Sequence, residues 1–166
     1  MSKRIKIVTS LKPTDYAVEG FGWVLLFLTF VLAIYGYVVL PETVPTHFNF
    51  KGQPDAYGSK ISVLFVPIIS LILTAGMTWL NRYPEIFNYP VKITEENADK
   101  QYKNAQTAIR WLKAAINVIF LLITWAIFVS ANSSVSTQLA WLLPFIVFLP
   151  LFVMFFFIRN AVKSNK

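Results

Sequence analysis

Hydrophobic residues fall into four long, uninterrupted runs along this chain of 166 residues. The runs cover residues 21–40, 61–80, 114–131 and 139–158, and none of them contains Asp, Glu, Lys, Arg or His. At a helical rise of about 1.5 Å per residue, a run of this length spans roughly 30 Å, the thickness of the hydrocarbon layer of a bilayer. Each run is apolar on all sides of a helix, unlike a surface helix of a soluble domain. The pattern predicts an all-α membrane protein with four transmembrane helices in a single membrane domain, residues 1–166.

Basic residues are concentrated in only some of the segments between these helices. The N-terminal segment, the loop at residues 81–113 and the C-terminal tail hold every Lys and Arg except Lys51 and Lys60. Cytoplasmic segments of membrane proteins carry the excess of Lys and Arg. We therefore expect both termini and the 81–113 loop to be cytoplasmic (N-in/C-in). A short outward loop, residues 41–60, then joins helices 1 and 2.

Composition supports the membrane assignment. Hydrophobic residues make up 56% of the chain and charged residues 14%, against about 25% charged in ordinary globular domains. The formal net charge of +7 comes from residues that flank the apolar runs, which favours a lipid bilayer over a nucleic acid as partner. The chain has no cysteine, so the outward loop must hold its shape without a disulfide.

Few polar side chains are expected inside the membrane. They are Thr29, Ser70, Thr74, Thr78, Asn117 and Thr124. Because no ionisable group lies at depth, a pump or a proton-coupled carrier is not indicated. Asn117 is expected to hydrogen-bond to a neighbouring helix, and Ser70 and Thr74 share one helix face on which they can do the same. Three prolines are expected to bend helices 2 and 4: Pro67, Pro144 and Pro150.

The cytoplasmic loop divides into an irregular connector, residues 81–90, and a helix. Thr94 followed by two acidic residues predicts a capped helix start. Apolar residues then recur at alternating steps of four and three: Ala98, Tyr102, Ala105, Ile109, Leu112 and Ile116. This spacing predicts an amphipathic cytoplasmic extension of helix 3. We expect its apolar face to pack on the membrane surface or on the connector.

The outward loop carries most of the candidate chemistry. Polar and apolar residues alternate over residues 46–51, so an extended chain would turn Phe48 and Phe50 toward the bilayer and their neighbours away from it. Residues 51–55 predict a turn, and Ser59 is a candidate cap for helix 2. The candidate ligand-binding residues are His47, Asn49, Lys51, Asp55, Tyr57 and Lys60.

Two functions are compatible with this loop. The first is a non-enzymatic binding or sensing protein whose loop recognises a peptide or a lipid. The second is a membrane enzyme or a zinc site that uses His47 with Glu42, Asp55 and Lys60. No ligand-spaced metal motif, nucleophile elbow or phosphate loop accompanies these residues, so we expect no enzyme, no cofactor and no metal. The competing interpretation is structural, with Asp55 and Ser59 holding a tight turn.

Three short segments of this loop resemble a known family. They are residues 41–49 (PETVPTHFN), 52–55 (GQPD) and 58–60 (GSK). The segments are similar to the signature of a bacterial membrane domain labelled domain of unknown function sixteen-forty-eight, which also forms the N-terminal part of SdpI-type immunity proteins. Residues 87–97 (FNYPVKITEEN) are similar to short members of that family.

The resemblance implies a multi-pass protein of the bacterial cytoplasmic (inner) membrane. Its implied partners are a secreted peptide toxin or another membrane protein, as in SdpI-type immunity. SdpI-type proteins have additional C-terminal spans beyond the four that are predicted here. The residues that match the signature and are expected to shape the loop are Pro45, Phe48, Gly52, Pro54, Gly58 and Ser59.

Overall fold

The structure is a computed structural model that describes residues 6–7, 9–132 and 139–164. Four of its helices are long and apolar enough to cross a membrane: α1 (Pro13–Val39), α2 (Phe65–Leu80), α3 (Ala98–Asn132) and α4 (Leu142–Lys163). The prediction of a mostly helical protein with four membrane spans is confirmed. Residues 133–138, which make up most of the segment between the third and fourth apolar runs, lie outside the described residues. So do three of the basic residues of the termini: Lys3, Arg4 and Lys166.

α3 is the centre of the bundle and packs on the other three long helices. Asn117 joins α3 to two of them, because its Oδ1 atom accepts hydrogen bonds from the hydroxyls of Ser70 (2.7 Å) and Thr74 (3.0 Å) on α2. Its Nδ2 atom donates to the Gly22 carbonyl of α1 at 3.0 Å. The expected hydrogen bonding between helices at Asn117 is confirmed. In a bilayer these contacts satisfy polar groups that lipid cannot.

α4 is the most exposed helix of the bundle. Within its range, all of it described, only Leu142 and Ala161 are buried, whereas Phe148, Phe152 and Phe155 are more than half exposed. An apolar helix surface of this kind is stable only against lipid or another apolar surface. The apolar surfaces of the four long helices therefore indicate a lipid bilayer as the environment of the protein.

The three prolines for which bends were expected lie at different depths in their helices. The residues before α2, Lys60–Leu64, form a 3-10 segment, so α2 begins late and Pro67 falls in its first turn. Pro144 likewise falls in the first turn of α4. Pro144 therefore removes a donor that has no partner within the helix, whereas Pro67 is preceded directly by the helical 3-10 segment. Only Pro150 lies inside its helix.

The predicted extension of α3 ahead of its apolar run is present, but its start and its buried face differ from the prediction. Thr94 and Asn97 cap the helix reciprocally, since the Asn97 side chain accepts from the Thr94 N–H at 2.9 Å, but the helix begins only at Ala98. Its buried residues include Gln101 and Gln106, which lie between other segments of the protein. Tyr102 packs on Tyr89 of the connector, with ring centroids 5.5 Å apart. The extension therefore buries a polar face within the protein, and the contact with the connector is the part of the prediction that is confirmed.

Candidate functional site

The segment between α1 and α2 folds as an antiparallel hairpin of two strands, β1 (Thr43–Phe48) and β2 (Pro54–Ser59). The sequence predicts an extended piece and a turn here, and both are present. The hairpin is fixed to the bundle by Val44, which is fully buried beside Ala33 and Ile127. Phe48 packs against two apolar clusters, one of which contains Leu139. Phe48 therefore faces the protein, and the expectation that it faces the bilayer is wrong.

The tip of the hairpin is shaped by Asn49 and Gly52. The Asn49 side-chain oxygen accepts from the backbone N–H groups of Lys51 (2.8 Å) and Gln53 (3.1 Å). Gly52 has φ 70° and lies so close to Leu139 and Ala140, which lead into α4, that a Cβ atom would approach the Ala140 nitrogen to 2.3 Å. Asn49 thus holds the turn, as Asn commonly does, and Gly52 allows the tip to contact the start of α4.

Phe50 lies at the exposed tip of this turn. Its side chain is 97% exposed, because β1 ends at Phe48 and the expected alternation does not continue into the turn. The residue is close in sequence to Gly52, which contacts the start of α4 beside the exposed Trp141. Aromatic residues at such places anchor proteins at the membrane surface. Phe50 is accordingly the one of the two phenylalanines that is available to the bilayer.

His47 and Asp55 meet on the exposed surface of the hairpin. His47 Nδ1 lies 2.5 Å from Asp55 Oδ1, and their side chains are 68% and 42% exposed. A register shift in β1 between Pro45 and His47 leaves Thr46 without a partner. Such a bulge redirects the following side chain, so Val44 and Pro45 are buried while Thr46 and His47 are both exposed. Two of the candidate ligand residues are therefore brought into direct contact.

The other candidate residues lie apart from this pair. Lys60 binds Glu42 at 2.9 Å and lies 5.5 Å from the ring centroid of Tyr37, at the base of the hairpin. Since Ser59 pairs with Thr43, this base is on the order of 13 Å along the strand from His47. Tyr57 and Lys51 are exposed on β2 and in the turn.

The remaining signature residues have structural roles in the hairpin. Pro45 is buried and Pro54 pairs with Phe48. At Gly58 a Cβ atom would lie 3.0 Å from Thr46. Ser59 caps the 3-10 segment before α2 through a 3.5 Å contact with the Ile61 N–H.

The arrangement gives no support to a zinc site built from the four residues considered in the sequence. Glu42 and Lys60 pair with each other at the base, away from His47 and Asp55. Among the described residues, no group of three or more His, Cys, Asp or Glu side chains is arranged to hold a metal ion.

A second polar cluster, which the sequence analysis missed, is buried where α1, α2 and α3 meet. Lys113 is almost fully buried and its ammonium contacts a Glu19 carboxylate oxygen. It also donates to the Thr78 hydroxyl at 2.9 Å and lies 5.6 Å from the Trp23 ring centroid. Arg110 adds two longer ion pairs, to Asp15 at 3.7 Å and to the other Glu19 oxygen at 3.8 Å. Buried charges require such partners.

The cluster lies within two helical turns of the charge-free runs on which the spans were predicted. Glu19 and Lys113 are separated from those runs by one residue or none, but α1 and α3 continue past them. A spacing signal exists, because Asp15 and Glu19 lie four apart and Arg110 and Lys113 three apart, which places each pair on one helix face. Two same-face pairs of opposite sign predict contact between their helices.

Comparison with known proteins assigns the chain to a family. The model of the family described as Domain of unknown function (DUF1648) matches residues 24–71, a range that contains the whole hairpin. An uncharacterized protein of the archaeon Archaeoglobus fulgidus is 30% identical over 163 residues, with 89% of each chain covered. The chain belongs to this family. No enzymatic activity is indicated by either match, and no solved structure matches the chain.

Proposed function

We propose that this chain is a non-enzymatic binding protein of the bacterial cytoplasmic membrane, whose outer hairpin recognises a secreted peptide. The observation that carries the proposal is the exposed His47–Asp55 pair, held 2.5 Å apart on a hairpin that is packed against the bundle. A rigid element that presents hydrogen-bonding groups to solvent is a common form of recognition site. Both termini lie in the cytoplasm in this proposal, and residues 1–166 act as one membrane domain.

The open edge of the hairpin favours a peptide over a lipid as ligand. Among the described residues the sheet has only two strands, and every residue of β2 is exposed or partly exposed. The outer edge of β2 therefore offers backbone N–H and C=O groups to an extended peptide, which can add as a further strand. Asp55 and Tyr57 of β2, with His47 beside them, supply side-chain contacts. An immunity-like role follows if that peptide is a toxin.

The proposal can be tested by selecting peptides from a phage-displayed random library on the protein in nanodiscs, with empty nanodiscs as counter-selection. We expect the selected peptides to bind the His47→Ala and Asp55→Ala variants about 10-fold more weakly, since hydrogen bonds to charged groups contribute about 1.5–3 kcal/mol. Because the pair is exposed, thermal unfolding should change by no more than about 2 °C. Glu42→Gln, whose side chain is 85% exposed at the base, is the matched control and should bind normally.

Selection of no peptide beyond the empty-nanodisc background would contradict the proposal, as would selected peptides that bind both alanine variants as tightly as wild type. Selected peptides that also bind empty nanodiscs would show lipid, not the hairpin, as the binding surface. For the immunity-like role, cells that express wild type should survive a peptide that kills cells expressing Asp55→Ala.

A further inference from the structure

A half-open cavity of about 460 Å³ lies at the opposite end of the bundle from the hairpin. Its walls are the segment that precedes α1, the first turns of α3 and the C-terminal part of α4. Its volume is in the range of ordinary ligand pockets. Its charged lining residues are mainly basic: Lys12, Lys100, Lys103 and Arg110, with Asp15 and Asp99. The cavity therefore carries a net positive charge.

Arg110 has unused hydrogen-bonding capacity in this cavity. Its side chain is 9% exposed, yet its closest carboxylate oxygens, on Asp15 and Glu19, are 3.7 and 3.8 Å away, too far for hydrogen bonds. Within the described part of the chain, no residue accepts a hydrogen bond from its guanidinium. A buried guanidinium with five donors and no acceptor at bonding distance points to a ligand rich in acceptor oxygens.

The nearby carboxylates are engaged by other groups. Asp15 accepts from the Thr107 hydroxyl at 2.9 Å through one oxygen and from the Lys12 backbone N–H at 2.8 Å through the other. Asp99 pairs with Lys103 at 2.8 Å. Lys103 therefore offsets Asp99, and Asp15 faces Arg110 at 3.7 Å, so the charges of Lys12 and Lys100 are not balanced by either acidic residue.

Lys12 and Lys100 are the basic residues of the cavity that remain without a carboxylate partner. Neither ammonium forms an ion pair with a described residue, and Lys100 reaches only the Ser164 carbonyl, at 3.4 Å. Both residues are exposed, so their charges lie at the mouth of the cavity while Arg110 lies deeper. Two unpaired cations around a buried arginine form a site suited to a polyvalent anion.

We propose that this cavity binds a phosphate group, carried either by an anionic phospholipid headgroup or by free phosphate. The planar guanidinium of Arg110 can donate two hydrogen bonds to one phosphate, and Lys12 and Lys100 add charge. Phe157 of α4 forms part of the wall, and the exposed rings of Phe152 and Phe156 continue along that helix. The acyl chains of a lipid would therefore find an apolar surface beside the site, as in basic pockets between membrane helices.

The test uses the purified full chain in a neutral detergent and a phosphate-free buffer. Native mass spectrometry measures binding of phosphatidylglycerol and of phosphatidylcholine, and thermal unfolding measures the effect of inorganic phosphate. We expect a one-to-one adduct with at least one phosphate probe. Lys12→Ala and Lys100→Ala should each weaken it about 5-fold, and the double variant about 25-fold. Lys92→Ala removes an equal charge from an exposed position between the connector and α3 and should bind as wild type.

The two sources of phosphate give different results. A lipid site binds phosphatidylglycerol in preference to phosphatidylcholine, and inorganic phosphate does not raise the unfolding temperature. A free-phosphate site is stabilised by inorganic phosphate, which also displaces phosphatidylglycerol. The proposal is overturned if neither phosphatidylglycerol nor inorganic phosphate binds, or if the double variant binds as wild type. It is also overturned if Lys92→Ala weakens binding as much as Lys100→Ala.

Discussion

Gly52→Ala is expected to lower the thermal unfolding temperature of the detergent-solubilised protein by roughly 6–12 °C. Gly52 has φ 70°, a conformation that costs a residue with a Cβ atom about 1–2 kcal/mol. The added atom would also lie 2.3 Å from the Ala140 nitrogen and 2.5 Å from the Leu139 carbonyl carbon. The hairpin tip must then separate from α4, so the total loss of unfolding free energy is about 3 kcal/mol. Each kcal/mol lowers the unfolding temperature by about 2–4 °C in a protein of this size. Tryptophan fluorescence during heating measures the change.

Two other glycines provide graded controls for this prediction. Gly76→Ala adds a Cβ atom on α2 with no heavy atom within 4 Å, so it should be neutral or stabilising by up to about 1 kcal/mol. Gly58→Ala approaches only the Thr46 side chain, at 3.0 Å, and should have an intermediate effect. An unfolding temperature for Gly52→Ala within 2 °C of wild type would show that the hairpin is not held against α4.

Lys113→Met is expected to destabilise the protein by about 3 kcal/mol. The substitution retains the apolar stem of the side chain but removes the charge that Glu19, Thr78 and Trp23 surround. Removing one partner of a buried ion pair leaves the other charge uncompensated, which typically costs about 3–5 kcal/mol. The lower end applies because the Glu19 side chain is 27% exposed and Arg110 remains 3.8 Å from its other oxygen. Thermal unfolding in a phosphate-free buffer gives the size of the loss.

A double substitution separates lost charge from lost packing. Glu19→Gln together with Lys113→Met should recover most of the stability, since no isolated charge is then left in the bundle. Lys103→Met is the matched control on the same helix, because its exposed pair with Asp99 contributes only about 0.3–0.5 kcal/mol. If the double variant is no more stable than Lys113→Met alone, the ion pair is not the source of the effect.

The four membrane helices could be predicted because the bilayer acts on every residue of a span. A run without charged residues is required wherever a helix crosses the hydrocarbon layer, so the signal is local and repeated along each run. The ends of the helices were not predictable in the same way. α1 begins at Pro13 and α3 at Ala98, well outside the runs at 21–40 and 114–131, because charged residues can enter a helix wherever another helix supplies a partner.

The polar face of α3 illustrates the same limit. Its apolar spacing indicated which side would be buried, yet Gln101 and Lys113 are among its most buried residues. Gln101 donates to the Ala161 carbonyl and to Ser164 on the C-terminal part of the chain. Contacts between residues sixty positions apart are not visible in the local sequence pattern. Hydrophobic periodicity therefore places a buried polar residue such as Gln101 on the solvent-exposed face of the helix.

Local features of the candidate site could be predicted, but the contacts between its side chains could not. The turn at Gly52 and the cap at Ser59 follow from local residue chemistry. The contact between His47 and Asp55 depends on strand register, and the bulge that shifts this register is not visible in the sequence. The position of Phe48 depends on Leu139, far along the chain.

We propose that the chain crosses the membrane four times, with the hairpin outside and the connector inside. The absence of cysteine permits a direct measurement with single-cysteine variants at Ala56 and Glu96, which are both exposed. A membrane-impermeant maleimide should label Ala56→Cys in intact cells and Glu96→Cys only after permeabilisation. Labelling of Glu96→Cys in intact cells, or of Ala56→Cys only after permeabilisation, would contradict the account.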